Sequence, residues 1–185
     1  MDESWILISH VGQAWPEEIH VIAHQAGYNT LTQCVIPDLW SRIQLEVILA
    51  DDQYVQALNA RYRGIDQSTN VLSFPLLSNE EITLLHHNPK DTALQSDITL
   101  KPNNSPLLLG DVYLAYETIV TQAIHSQHSL DIHLSHLVIH GILHLLGYTH
   151  DTDVQTTKMT DKEIEILTSL GYPHPYCHQD RNFSL

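Results

Sequence analysis

The stretch HLSHLVIHGILHLLGYTHDTD, residues 133–153, constrains the fold more than any other part of the chain, because it carries five of the 14 histidines at helical spacing. An α-helix turns about 100° per residue, so positions four apart differ by about 40° in direction and about 6 Å in height. His136, His140 and His144 therefore line one stripe, with His133 close beside it. A metal ion reaches imidazole nitrogens at about 2 Å, so two rings one turn apart can share it. Three successive turns cannot, since the outer rings stand about 12 Å apart along the axis. Gly147 is the natural residue to reverse the chain in the left-handed conformation, and His150 then folds back over the last turn. His140, His144 and His150 thus form a three-imidazole set from one helix and its returning loop. Three protein ligands leave a fourth position for water, which marks a catalytic rather than a structural site.

The remaining histidines receive plainer readings. His136 reads as a core group or as a hydrogen-bond partner that orients a ligand. His125, His128 and His133 read as surface residues, and His86 and His87 are assigned no role. Zinc-protease helices of the H-E-x-x-H type place a general base beside the first histidine. Here that position is Gly141, so a protease mechanism lacks its base on this helix.

Alternation identifies the strands. In RIQLEVILADD, Ile43, Leu45, Val47 and Leu49 alternate with Gln44 and Glu46. SWILISHVG, TNVLSFPL and LLLGDVYLAY read as further strands. Helices are expected from Pro16 through about Val35, after a cap at Asp51 or Asp52, over ETIVTQAIHSQHS, from a cap at about Asp131 to Gly147, and over DVQTTKMTDKEIEILTSLGY. Residues 78–106 hold three prolines and four asparagines without sustained periodicity, and read as a long irregular segment. The expected fold is α/β (α+β): one domain over residues 1–185, with a small mixed sheet of about four strands packed with about five helices. The metal site sits on a central helix and its following loop.

With 43% hydrophobic and 16% charged residues the chain is globular. No apolar run is long enough to cross a bilayer, and the opening MDESWILISHVG lacks the basic region of a secretory signal; the expected location is the cytoplasm. Cys34 and Cys177 are expected to be free thiols in such a reducing compartment. Eight Lys and Arg against 22 Asp and Glu give a net charge of −14. Such a body repels polyanions, so any nucleic acid must be drawn by a local patch, a metal or a partner.

HGILHLLGYTH resembles the H-G-x-L-H-L-x-G-Y-D-H motif of the YbeY endoribonucleases. LNARYRGIDQSTNVLSFP (58–75), LGDVYLAYE (109–117) and the Met159–Glu163 pair are similar to further blocks of that family, in the same order. The resemblance implies zinc on His140, His144 and His150, single-strand-specific cleavage of RNA, maturation of the 3′ end of small-subunit ribosomal RNA, and ribosome quality control. It places the family's functional arginine at Arg63. Its implied partners are single-stranded RNA and the ribosome or a ribosome-associated protein, with no membrane and no DNA. Two departures stand out: Thr149 replaces the usual aspartate beside the third histidine, and Ser68 replaces a proline that would restrain the turn before the third strand.

On this reading zinc polarises a phosphoryl oxygen and makes hydroxide available near neutral pH, while the planar fork of Arg63 pairs with phosphate. An attack by the RNA 2′-hydroxyl is the alternative route. Two rival functions remain open at this stage: a zinc hydrolase of another bond, and a non-catalytic ribosome-assembly factor with structural zinc. Three imidazoles also suit nickel or another divalent transition metal.

Overall fold

The computed structural model describes residues 5–12, 15–86 and 105–172. Four strands form one mixed sheet: β1 (Ile6–Val11), β2 (Ile43–Ala50), β3 (Val71–Pro75) and β4 (Leu107–Ala115). Their order is β1-β2-β4-β3, with β1, β2 and β4 parallel and β3 antiparallel to β4. The alternation in β2 has the expected consequence. Ile43, Leu45, Val47 and Leu49 enter the main core while Gln44 is exposed and Glu46 half-buried on the opposite face. The β2–β4 register slips between Gln44 and Leu45, whose partners are Leu108 and Gly110. Leu109 is the extra residue of this bulge and is fully buried.

Six α-helices are found among the described residues: α1 (Glu17–Cys34), α2 (Asp52–Arg63), α3 (Asn79–His86), α4 (Tyr116–Ser126), α5 (Leu130–Leu145) and α6 (Asp153–Ser169), with a 3-10 segment at Pro37–Arg42. Helix α2 starts as expected, with the Asp51 side chain accepting from Tyr54 N at 2.8 Å. It ends at Gly64, which takes the left-handed conformation (φ 71°). Helix α5 begins earlier than its sequence suggested. Ser129 occupies the cap position, and Asp131 lies within the first turn, where an acid suits the helix dipole.

Helix α3 corrects the reading of residues 78–106 as irregular from their start. Glu81 N donates to Ser78 Oγ at 3.3 Å, and Ser78 N donates to Glu81 Oε2 at 3.0 Å. This reciprocal pair is a capping box, which satisfies two donors at once and nucleates even a short helix. Residues 87–104 of that segment, with His87, lie outside the described residues, as does Cys177. Cys34 is free and half-buried, and burial pushes its thiol up to about 11.

Helices α1 and α5 cover one face of the sheet, and α2 covers β3 and β4 on the other. Val55 of α2 closes a small cluster there with Ala50, Leu72 and Ala115. Helix α5 is the centre of the fold: every residue from His133 to Leu143 is buried. Apart from its histidine stripe its sequence is largely apolar, and such a helix is stable when enclosed. Leu137, Ile139 and Ile142 are fully buried, and each such side chain contributes about 1.5–3 kcal/mol of burial free energy. No described helix is long and apolar enough to cross a membrane.

Candidate metal centre

Gly141 shows how closely α5 approaches the sheet. A Cβ at this position would stand 2.6 Å from Val112 Cγ1 and 3.1 Å from Ser73 Oγ. Ser73 Oγ also donates to the Gly141 carbonyl at 3.1 Å. The residue after His140 therefore points into the sheet, and a larger side chain there would clash with β4. This fixes which way α5 is rolled, with His140 turned toward Glu163 of α6 and His144 toward the loop after the helix.

The two rings meet edge to face, with His140 Nε2 and His144 Nε2 3.0 Å apart. Their other nitrogens are already engaged. His140 Nδ1 donates to Glu163 Oε1 at 2.7 Å, and His144 Nδ1 donates to the Tyr148 carbonyl at 2.9 Å. In a neutral imidazole the nitrogen without the proton carries the lone pair. Both lone pairs therefore face each other, an arrangement that a shared cation stabilises. Gly147, at φ 83°, reverses the chain after α5, where a Cβ would press on Ile82 of α3 at 2.9 Å. The returning loop brings the exposed His150 to 5.1 Å from the His144 ring and 5.8 Å from the His140 ring. One ligand atom from each of His140, His144 and His150 lies within 4.8 Å of the others. Three imidazole nitrogens converging in this way suit a borderline-soft divalent ion such as zinc.

In the sequence, Glu163 of α6 stands only at one end of a short motif, with no role attached. It is 2% exposed. Its second oxygen, Oε2, accepts from His136 Nε2 at 3.1 Å. Burial alone would raise its pKa, but the bonds from His136 and His140 outweigh that and hold the carboxyl at about 2. A charged carboxylate on His140 Nδ1 fixes the tautomer that presents Nε2 to the site. His136 thus supports the site through Glu163, as its place on the stripe suggested. One signal for Glu163 did exist: it stands one helical turn after the buried Met159, on the face of α6 that carries Ile166 and Leu167 into the core.

His144 is held down to about 4, by burial first and then by the neighbouring His140 and His150. It stays neutral and ligand-competent well below physiological pH. His133 was expected on the surface, but it is 4% exposed, with Nε2 3.1 Å from Gln122 Oε1 of α4. The packing of α4 against α5 covers that side of the helix, and burial lowers His133 to about 4 as well. His125 is exposed and His128 half-buried. Arg63 is exposed at the C-terminal end of α2 and makes no ion pair among the described residues. The turn that follows, which carries Ser68, is tied by Asn59 Nδ2 donating to the Gln67 carbonyl at 2.7 Å and Gln56 Nε2 donating to Asp66 at 2.9 Å. These bonds restrain the turn where a proline is missing.

Comparison with known proteins agrees with this architecture. Residues 16–171 match the family model described as Endoribonuclease YbeY. A relative from Nitrobacter hamburgensis named Endoribonuclease YbeY is 43% identical over 138 residues, covering 75% of this chain and 64% of its own length. Relatives of the same name from Rhodopseudomonas palustris (strain BisB18) and a Bradyrhizobium strain are 44% and 41% identical over 75% of this chain and 71% and 72% of theirs. The match to the Nitrobacter protein thus spans slightly less than two thirds of that protein. A solution structure from Thermotoga maritima shares the fold, with a TM-score of 0.52 at 21% identity over 90% of this chain and 91% of that one. With more than half its length matched by the family model, the chain belongs to the Endoribonuclease YbeY family.

Proposed function

We propose that this chain is a zinc-dependent endoribonuclease that cuts single-stranded RNA, acting in maturation of the small-subunit ribosomal RNA 3′ end and in ribosome quality control. The observation that carries the reading is the pair of lone-pair nitrogens 3.0 Å apart on His140 and His144, with His150 beside them. Family membership supplies RNA as the substrate class. His140, His144 and His150 would hold the ion, and Arg63 would bind a phosphate of the RNA. The same reading takes residues 1–185 as one cytoplasmic domain working on or near the ribosome.

Bound there, zinc supplies Lewis acidity toward a phosphoryl oxygen. The chain's own groups do the rest. Glu163 and the Tyr148 carbonyl hold the two helical imidazoles in the tautomers that leave Nε2 free. Arg63 offers a planar, permanently charged fork that pairs with two phosphate oxygens. Its exposure and its lack of a carboxylate partner among the described residues leave that fork available. Gly141 favours this over peptide hydrolysis, because the position that carries the base in zinc proteases is pressed against Val112.

The test is cleavage of a labelled single strand, with a duplex of the same sequence as control. Activity should disappear on chelation, return with zinc, and fall sharply in Arg63→Ala. Ribosome binding without any cleavage would favour the assembly-factor reading instead. Products ending in a 2′,3′-cyclic phosphate would assign the attack to the RNA 2′-hydroxyl rather than to water.

A further inference from the structure

A cavity of about 400 Å³ opens beside the metal centre, between α3, the Gly147–Thr149 loop and the first turns of α6. Its polar lining comes from Thr83, His86, Tyr148, Thr149, Gln155 and Lys158. Thr149 directly precedes His150, so the cavity adjoins the three histidines along the chain. Its volume falls within the range of small-molecule sites, about 300–1,000 Å³.

The charge of this cavity is opposite to that of the protein. In a chain of net charge −14, no aspartate or glutamate lines it. Lys158 Nζ stands 5.3 Å from the centre of the Tyr148 ring, a cation–π contact that orients the ammonium. Lys158 makes no ion pair among the described residues, whereas Lys162, one turn on, is paired with Glu165 at 2.5 Å. His86 is held in place between two backbone carbonyls. Its Nδ1 is 3.0 Å from the Cys34 carbonyl and its Nε2 is 3.1 Å from the Leu146 carbonyl. The two carbonyls lie at the C-terminal ends of α1 and α5, so the ring ties the two helix ends together.

We propose that this cavity is the subsite for a nucleotide flanking the scissile bond, with Lys158 binding its phosphate. The inference rests on the RNA-cleaving function proposed above. Thr149 contributes a neutral hydroxyl at the junction between cavity and metal centre, so phosphate meets no carboxylate there. The Tyr148 ring serves to hold the Lys158 ammonium over the cavity.

The experiment measures binding of a fluorescent 2′-O-methyl single strand to the metal-loaded protein as a function of salt, for wild type, Lys158→Gln and Lys162→Gln. Each phosphate contact to a single strand contributes about 0.7 to the slope of log affinity against log salt. Lys158→Gln should flatten the slope by about 0.7 and weaken binding about fivefold at 0.1 M salt. Lys162→Gln, whose charge is already paired, should match wild type. An unchanged slope in Lys158→Gln, with wild-type binding intact, overturns the proposal. Wild type that binds no single strand at all overturns the RNA reading itself. A third arm titrates inorganic phosphate alone: thermal stabilisation abolished by Lys158→Gln, with the RNA slope unchanged, would make this a free-anion site and reject the nucleotide assignment. Lys158 is exposed, so the variant is expected to melt with wild type.

Discussion

Replacing Glu163 with glutamine probes the support of the metal centre with little change of shape. The native carboxylate accepts two bonds, from His140 Nδ1 at 2.7 Å and His136 Nε2 at 3.1 Å. A glutamine has one accepting oxygen, and its NH₂ must face an N–H of one histidine. That ring has to change tautomer or lose its bond. If His140 changes, its Nε2 gains a proton and can no longer donate a lone pair to an ion. The depression of the Glu163 pKa from its ordinary 4.5 to about 2 corresponds to about 3 kcal/mol of interaction with the charged form. With the side chain 2% exposed, little of this is screened by solvent. Glu163→Gln should therefore destabilise the metal-free protein by about 3 kcal/mol, read by urea denaturation in the presence of a chelator. Losing a partner that orients a ligand typically lowers metal affinity about 10- to 100-fold, which competition with a fluorescent chelator would measure. A variant with unchanged stability and metal affinity within a factor of about two would refute the claim that Glu163 sets the His140 tautomer.

Other outcomes follow from the same geometry. His150 is exposed while His140 is buried, so His150→Ala should lose metal yet leave the chelated protein as stable as wild type, whereas His140→Ala should cost both; equal melting losses would contradict the packing. Gly141→Ala forces a methyl to 2.6 Å from Val112 Cγ1 and should destabilise the protein by about 1–3 kcal/mol, as overpacking does; a neutral result would mean that α5 does not press on β4. Acidification should weaken the metal-free fold in two stages. His133 and His144 are lowered from 6.5 to about 4, so the unfolded chain binds more protons between those values and stability falls as pH drops through that window. Glu163, lowered to about 2, adds a further loss as pH falls from 4.5 toward 2. Urea midpoints that stay flat from pH 6.5 to 4 would show that these histidines are not buried neutral.

The parts legible in the sequence were those governed by local periodicity. Ile43 through Leu49 showed the two faces of β2, and the four-residue spacing with Gly147 sufficed to group His140, His144 and His150. The misjudged features depend on neighbours distant in the chain. His133 looks like any polar residue on an amphipathic helix until α4 closes over it. Glu163 reaches the site from α6, and only tertiary packing reveals that one carboxylate serves two histidines. The α3 case differs, because Ser78 and Glu81 form a capping box visible in the sequence. The absence of a longer apolar period obscured that local signal. Ala50 interrupts the polar side of β2 because Val55 of α2 packs over it, which the strand itself does not announce.

The central claim is that His140, His144 and His150 share one ion. Its most direct test is the metal content of the protein purified with zinc present, determined by elemental mass spectrometry for wild type and His144→Ala. The account predicts one zinc per chain in wild type and far less than one in the variant. Full zinc retention by folded His144→Ala would contradict it.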